Sequence, residues 1–193
     1  MKKKKFLDVV LDILLTAGIV CCAFLISLKI FCVRVIVSGS SMNPSITNGD
    51  AGYMYKVKEN TKIERFDVVA GEYNSSKDYY IIKRVLGLPG ETIKLTNNVL
   101  YVNGEVIEQD FAFNTSQTDF DVNEWTLADD EYLLVGDNRS HTIAPVKEKK
   151  ENIIAKNGIC YGHYDVEGDK CKNDDYSSCP IKLKSWYQFK TGK

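Results

Sequence analysis

An apolar segment near the N-terminus constrains this 193-residue chain more than any other feature of its sequence. The sixteen residues from Ile13 to Leu28 carry no charge and are apolar on every side instead of along one helical stripe. As an α-helix they would reach about 24 Å, short of the roughly 30 Å hydrocarbon core of a bilayer, so we expect residues 9–11 and 30–37 to lengthen the span. The segment therefore predicts a helix that crosses a membrane once.

The flanks of this segment predict its orientation. Residues 2–5 are all lysine, and positively charged flanks stay on the cytoplasmic side of a membrane. A cleavable signal peptide is the alternative, but the apolar stretch is long and no small-x-small cleavage site follows it. We therefore expect residues 1–37 to be a cytoplasmic tip and transmembrane anchor in contact with lipid. Residues 38–193 would then form an extracytoplasmic domain at the cell membrane.

The domain that follows the anchor has the pattern of a β protein. Short runs of branched and aromatic residues alternate with Gly, Asn and Asp turn residues. The strand candidates are residues 66–73, 78–87, 91–95, 99–107 and 131–136. Asn103-Gly104 between two apolar arms indicates a type I′ hairpin, because both central residues of that turn need positive φ. The predicted fold is mainly β: a single transmembrane helix followed by an antiparallel, barrel-like domain with one core.

The segment 147–193 differs in composition and is expected to be an atypical C-terminal extension at the domain edge. It begins with a Lys/Glu cluster and continues with a polar stretch that contains three cysteines, Cys160, Cys171 and Cys179. Its closing residues 186–189 (WYQF) have three alternative interpretations. They are expected to pack back on the domain, to touch the membrane surface or to form an ordinary edge strand. A Cys171/Cys179 disulfide, free thiols and a zinc site with His163 are open alternatives, although the spacing fits no common zinc pattern.

The net charge of the chain bears on which partners to expect. The formal net charge is -1, which gives no reason to expect nucleic acid as a partner. We predict no metal and no cofactor, and we expect a monomer.

Two segments carry residues that together suit nucleophilic catalysis. Residues 37–44 (VSGSSMNP) place hydroxyls around a glycine directly after the anchor, a composition that is usually only a turn. Residues 80–90 place Lys83 among aliphatic residues, and strand alternation puts Ile81 and Val85 on its face. Desolvation there would lower the lysine pKa from about 10.4 until a neutral amine can take a proton from a serine hydroxyl. The alternative is an edge-strand lysine whose ammonium stays in water.

A third segment, residues 132–142 (YLLVGDNRSHT), is expected to run from a strand into a turn, which by itself is an ordinary turn that Asp137 could cap. In this order and behind one anchor, the three segments resemble the type I signal peptidases, the S26 serine proteases. The matching motifs are Gly-x-Ser-Met-x-Pro at 39–44, Lys-Arg-Val-x-Gly-x-Pro-Gly at 83–90 and Gly-Asp-Asn-Arg at 136–139. Weaker matches lie at 48–50, 66–69 and 103–104.

The resemblance implies a membrane-bound endopeptidase that removes N-terminal signal peptides from exported preproteins. It implies Ser41 as nucleophile and Lys83 as general base, and a lysine at this position is typical of the bacterial type. The backbone N–H of Ser41, helped by the Gly39 region, would form the oxyanion hole. The hydroxyl of Thr142 would hydrogen-bond the lysine.

Four flanking residues are the candidates for substrate binding, because shallow apolar pockets beside the nucleophile would accept small residues in an Ala-x-Ala site. They are Val37, Met42, Ile81 and Ile82. An extended substrate would add to a strand edge.

One departure from the family pattern follows Thr142. Relatives continue Ser-x-Asp-Ser-Arg, and here Ala144 stands where the aspartate is expected. Asp137 and Arg84 are still able to pair and support the site. The departure suits an alternative in which the chain serves one dedicated substrate. A non-proteolytic relative in pilus-type assembly is a further alternative, against which the Ser/Lys pair argues. A Ser-His-Asp site with His141 is a third, but that histidine has no identified orienting partner.

Overall fold

The structure is a computed structural model that describes residues 2–73, 76–96, 99–112, 123–141, 144–163, 166–167, 170–171 and 184–185. One helix, α1 (Lys2–Phe31), precedes the strands. The strands are β1 (Cys32–Ile36), β2 (Asp50–Lys56), β3 (Val68–Tyr73), β4 (Ser76–Gly87), β5 (Thr92–Thr96), β6 (Val99–Val102), β7 (Glu105–Ile107), β8 (Asn123–Thr126), β9 (Glu131–Val135), β10 (Val146–Lys149), β11 (Ile153–His163), β12 (Val166–Glu167), β13 (Lys170–Cys171) and β14 (Lys184–Ser185). Short 3₁₀ turns occupy Arg139–His141 and Lys150–Asn152.

The helix α1 is long and apolar enough to cross a membrane over Phe6–Phe31, where the mean hydropathy is 2.7. Its apolar side chains are exposed in the chain taken alone, as expected of a lipid-facing helix. We expected residues 30–37 to lengthen the span, but the helix ends at Phe31 and the next five residues form β1. The boundary between anchor and domain therefore lies before Cys32, since the branched residues of β1 pair with β2.

Two antiparallel sheets make up most of the domain, which confirms the prediction of a mainly β fold. The main sheet has the strand order β1-β2-β11-β3-β4-β9-β10, with β14 added to β11. A four-stranded sheet has the order β7-β6-β5-β8. The predicted hairpin is confirmed, since Asn103 and Gly104 both have positive φ and Val102 pairs with Glu105. The described strands do not form a closed barrel, because the edge strands β1 and β10 of the main sheet do not pair with each other.

The strand β11 corrects the expectation of an extension at the domain edge. It pairs with β2 on one side and β3 on the other, so residues 153–163 belong to the middle of the main sheet. Its alternation is hidden in the sequence because Asn157 has a left-handed φ of 46 and the register shifts there.

The predictions for the rest of the C-terminal segment are only partly covered by the structure. The Cys160 thiol is buried and donates to the Gly162 carbonyl at 3.2 Å. Cys179 and residues 186–189 lie outside the described residues, as does the side chain of Cys171. Within the described part of the chain, no group of three His, Cys, Asp or Glu side chains is arranged to hold a metal ion.

One of three apolar clusters supports the serine-rich segment, which is residues 37–44. This Met42 cluster consists of buried Val37, Met42, Ile46, Met54, Val68, Ala70, Ala155 and Cys160, with Ile82 packed against it. It therefore joins the segment after β1 to the main sheet.

A buried carboxylate, Asp67, ties three strands of this sheet together. It is 1% exposed and accepts hydrogen bonds from the Glu64 N–H at 2.8 Å, Asn157 Nδ2 at 3.0 Å and Lys156 Nζ at 2.9 Å. Its backbone carbonyl accepts the N–H of Val85 at 2.9 Å. Burial raises the pKa of this carboxyl, but the hydrogen bonds outweigh that effect and hold the pKa below its ordinary value.

We expect Asp67→Ala to lower the free energy of unfolding by about 3 kcal/mol at pH 7, because it takes the buried acceptor away from the Asn157 amide and the Lys156 ammonium. The ammonium keeps its bond to the Lys62 carbonyl at 2.7 Å. The stabilisation is complete above the unfolded pKa of about 4 and is lost as the pH falls through the lower folded pKa. Urea unfolding of the full chain in detergent at pH 7 and pH 3 measures both effects. Asp130→Ala, which removes the exposed Asp130–Lys149 pair at 2.8 Å, is the control and should change little. A difference between wild type and Asp67→Ala that does not shrink at pH 3 would contradict the assignment.

Candidate active site

The serine-rich segment leaves the sheet after β1 and turns back over the Met42 cluster. Ser38, Gly39 and Ser40 are exposed, whereas Met42 and Ile46 are buried. The turn is closed by the Ile46 N–H, which donates to the Met42 carbonyl at 2.9 Å. Ser41 lies half-buried between the exposed and buried parts. Its hydroxyl and its N–H make no hydrogen bond to the residues that the structure describes, so both are available for a reaction.

The Gly-Asp-Asn-Arg segment after β9 is bonded directly to this turn. The Asn138 N–H donates to the Ser41 carbonyl at 3.0 Å, and Asn138 Nδ2 donates to the Ser40 carbonyl at 3.0 Å. Asn138 thus fixes both carbonyls next to the candidate nucleophile. Sequence reasoning treated this asparagine as one letter of a motif and gave it no role.

Lys83 lies in β4 opposite Val69 of β3 and is 3% exposed. The buried position expected from strand alternation is therefore present, and the alternative of an ammonium in water is wrong. Burial lowers the pKa of Lys83 to about 8, against the opposing effect of the negative charge of Asp137. With this pKa, about one tenth of the Lys83 amine is neutral at pH 7 and about half at pH 8, and the neutral form is the one that a general base requires.

Arg84 and Asp137 form a buried ion pair behind the lysine. Arg84 Nε donates to Asp137 Oδ1 at 2.8 Å and Nη2 donates to Oδ2 at 2.6 Å. Their side chains are 1% and 0% exposed. Arg84 Nη1 also donates to the Phe66 carbonyl at 2.9 Å, and the guanidinium stacks 4.3 Å from the Phe111 ring centroid. The predicted pairing is confirmed, and it fixes Asp137 relative to β4.

These contacts bring the three sequence segments together. Asp137 lies close enough to Lys83 for its charge to act on the lysine, and the next residue, Asn138, holds Ser41. Three of the four predicted substrate-binding residues, Val37, Met42 and Ile82, belong to the Met42 cluster beside this junction. Ile81 is buried at 8% exposure but is not a member of that cluster.

Gly39 differs from its expected role. Its φ is +104, and its N–H donates to Asn48 Oδ1 at 2.9 Å. The expectation that the Gly39 region helps the oxyanion hole is therefore not met by this N–H, because the bond to Asn48 already occupies it. Residues 48–50 match the family pattern weakly in the sequence. No local sequence pattern, however, predicts the bond between Asn48 and Gly39, which are nine residues apart.

The structure describes only some of the remaining predicted residues. Thr142 and the side chain of His141 lie outside the described residues. Ala144, where relatives carry aspartate, is exposed. His163 Nδ1 lies 3.1 Å from Asp50 Oδ1, and this pair is at the end of β11.

Comparison with known proteins identifies the family. The sequence profile of the family described as signal peptidase, peptidase S26, matches residues 10–161. Signal peptidase I V of Bacillus subtilis (strain 168) is 35% identical over 136 residues, which are 61% of this chain and 79% of that protein. Signal peptidase I P of Bacillus subtilis subsp. natto is 30% identical over 151 residues, covering 74% of this chain and 79% of that protein. A crystal structure of a signal peptidase I from Enterococcus faecalis V583 aligns with a TM-score of 0.40 at 25% identity, over 48% of this chain and 94% of that one.

The chain therefore belongs to the S26 family of signal peptidases. It is a serine peptidase of the class that removes signal peptides from secretory preproteins. The N-terminal apolar helix is consistent with the membrane anchor of type I members.

Proposed function

We propose that this chain cleaves signal peptides with Ser41 as nucleophile and Lys83 as general base. The observation that carries the proposal is the buried Lys83, whose pKa is lowered to about 8 and whose neighbour Asp137 adjoins the residue that holds Ser41. A neutral lysine amine accepts the serine proton without any histidine.

In the first step, Ser41 Oγ attacks the scissile carbonyl while its proton passes to Lys83 Nζ. The oxyanion of the tetrahedral intermediate accepts the N–H of Ser41, and Lys83 returns the proton to the leaving amine. The products are the free amino terminus of the mature protein and an ester between Ser41 and the signal peptide. Water then attacks the ester, giving its proton to Lys83, and Ser41 is regenerated. The hydroxyl of Thr142 is proposed to orient the amine.

An extended substrate is proposed to bind along β4. This strand pairs with β3 between Ser76 and Arg84, but with β9 only from Arg84 onward. Residues 80–82 therefore present an edge without a partner strand among the described residues, and a preprotein segment can add to it. Ile82 is partly buried against the Met42 cluster and leaves an apolar side chain beside this edge, which supports a preference for small residues in an Ala-x-Ala site.

The proposed topology follows from the charges at the start of α1, before the apolar span Phe6–Phe31. The lysines at positions 2–5 hold the amino terminus in the cytoplasm, so the β domain lies outside the cell membrane. That side is where the end of a translocated signal peptide arrives. We propose that the chain works as a monomer.

The first test measures cleavage of a preprotein with an Ala-x-Ala site by the full chain in detergent, using mass spectrometry. Wild type is expected to cleave after the second alanine, and Ser41→Ala is expected to be inactive. The value of kcat/KM should rise with pH and level off above about 8, because the neutral form of Lys83 is the reactive form. A preprotein with leucine in place of the second alanine is the control substrate and should resist cleavage. Full activity of Ser41→Ala, or a rate that falls between pH 7 and pH 8, would contradict the mechanism.

A dedicated substrate is the second candidate function, and Ala144 is the observation that favours it. The same assay with a panel of preproteins separates the two. Cleavage of a single member of the panel would favour the dedicated enzyme.

A further inference from the structure

The segment that carries the nucleophile is exposed where it needs to be held most firmly. Ser38, Gly39 and Ser40 all lie on the surface between β1 and the turn that begins at Ser41. An error of about 1 Å in the position of a reacting group costs on the order of 10²-fold in rate. Contacts that fix this exposed stretch therefore bear directly on the proposed reaction.

Asn48 reaches this stretch from a platform that is itself well fixed. The Gly49 N–H donates to the Val37 carbonyl at 2.8 Å, and the Val37 N–H donates to the Asp50 carbonyl at 2.8 Å. These two bonds continue the pairing of β1 with β2 up to the base of the exposed stretch. The Thr47 N–H also donates to Asp50 Oδ2 at 2.8 Å. The backbone on both sides of Asn48 is thus held in place.

From this platform, the side-chain oxygen of Asn48 accepts the N–H of Gly39 at 2.9 Å. Gly39 has φ +104, and glycine adopts positive and negative φ about equally well. The backbone preference of glycine therefore does not select the positive φ of Gly39. We attribute its selection to the bond from the Gly39 N–H to Asn48. The peptide that follows Gly39 leads directly to Ser40 and Ser41, so its direction determines where the Ser41 N–H points.

The bond to Asn48 also determines which N–H groups are left for the oxyanion. The Gly39 N–H is occupied, and the Ser41 N–H makes no hydrogen bond to the described residues. Loss of one oxyanion donor commonly reduces kcat by about 10² to 10³-fold. An enzyme that uses the Ser41 N–H as its backbone donor depends on the orientation of that group.

We propose that Asn48 is a positioning residue for the nucleophile: it holds Gly39 in its left-handed conformation, keeps the Gly39 N–H out of the oxyanion hole and so orients the Ser41 N–H. This inference rests on the proposed role of Ser41. Asn48 and Asn138 then hold the serine-rich segment from its two sides.

The test compares Asn48→Ala and Asn48→Asp with wild type in the full chain in detergent, on the Ala-x-Ala preprotein. Asn48→Ala should lower kcat about 10-fold or more with KM changed less than about 2-fold, because ground-state binding does not use the oxyanion donor. Asn48→Asp keeps an acceptor oxygen and should recover most of kcat. The pH at which kcat/KM levels off should stay unchanged in both variants, because neither touches Lys83.

Thr61→Ala is the matched control. Thr61 Oγ1 also accepts a backbone N–H in a surface turn, that of Lys58 at 2.8 Å, so this variant should keep the wild-type kcat. If Asn48→Ala does not fold, Asn48→Leu is compared with Asn48→Asp instead, because this pair also differs in the presence of an acceptor oxygen at position 48. A wild-type kcat in the folded Asn48→Ala or Asn48→Leu variant, with Ser41→Ala inactive, would overturn the role of Asn48 alone. Activity in Ser41→Ala would overturn the proposed function and this inference with it.

Discussion

Substitution of Lys83 by methionine is expected to abolish cleavage and, at the same time, to raise the melting temperature of the protein. Cleavage should fall at least about 10³-fold, since removal of a base that activates a nucleophile has effects of this size or larger. Stability should rise because burial lowers the pKa of Lys83 from 10.5 to about 8, and a shift of this size corresponds to about 3 kcal/mol of unfavourable burial. Methionine fills a similar volume without a charge.

Single-turnover cleavage and thermal unfolding in detergent at pH 7 measure the two effects of Lys83→Met. An increase of several degrees is expected, since about 1 kcal/mol shifts the melting temperature by about 2 to 4 °C in a chain of this size. Lys62→Met is the control, because the Lys62 side chain is 84% exposed and its replacement should change neither activity nor melting temperature. A structural role for Lys83 predicts the opposite sign, with activity and melting temperature falling together.

Substitution of Arg84 by methionine is expected to have the largest effect on stability. It leaves the carboxylate of Asp137 at 0% exposure without its bidentate partner, and breaking a buried ion pair in this way costs about 3 to 5 kcal/mol. The melting temperature should fall by about 10 °C or more. Arg65→Met is the matched control, because the Arg65–Glu91 pair has side chains 19% and 17% exposed and its loss should cost clearly less.

A double variant tests whether the penalty comes from the unpaired charge. Arg84→Met combined with Asp137→Leu removes both charges and should recover a large part of the lost stability. If the double variant is less stable than Arg84→Met alone, the stabilisation comes from other contacts of these side chains. The stacking of Arg84 on Phe111 is the first of these to examine.

The parts of the fold and site that could be predicted from the sequence are those determined by residues close together in the chain. Lys83 was expected to be buried because it alternates with aliphatic residues in one strand, and the Asn103-Gly104 hairpin was expected because its turn type restricts the residues at both positions. The strand β11 was missed because Asn157 interrupts its alternation and its partners are about a hundred residues away. The residues of β1 were assigned to the span because a run of valine and isoleucine suits both lipid and a sheet.

The contacts of the candidate site were the least predictable. Asn48 and Asn138 act on the serine-rich segment through side-chain bonds to backbone groups 9 and 98 residues away. Both asparagines lie in motif matches, but short polar side chains of this kind occur in any turn, so the sequence does not show which backbone groups they bond. Only the pairing of β1 with β2 and the position of β9 bring them to the serine.

The strand β1 begins at the residue after the last of α1. Lys56 Nζ donates to the Lys29 carbonyl at 2.6 Å, and the Lys58 ammonium lies 4.9 Å from the ring centroid of Phe31. With α1 in a bilayer, five residues of extended chain at about 3.3 Å each set the largest height that β1 can add above the end of the helix, roughly 16 Å. The serine-rich segment that follows β1 would then stay near the lipid surface. We propose that only peptide bonds of a membrane-bound substrate that lie at this height reach Ser41.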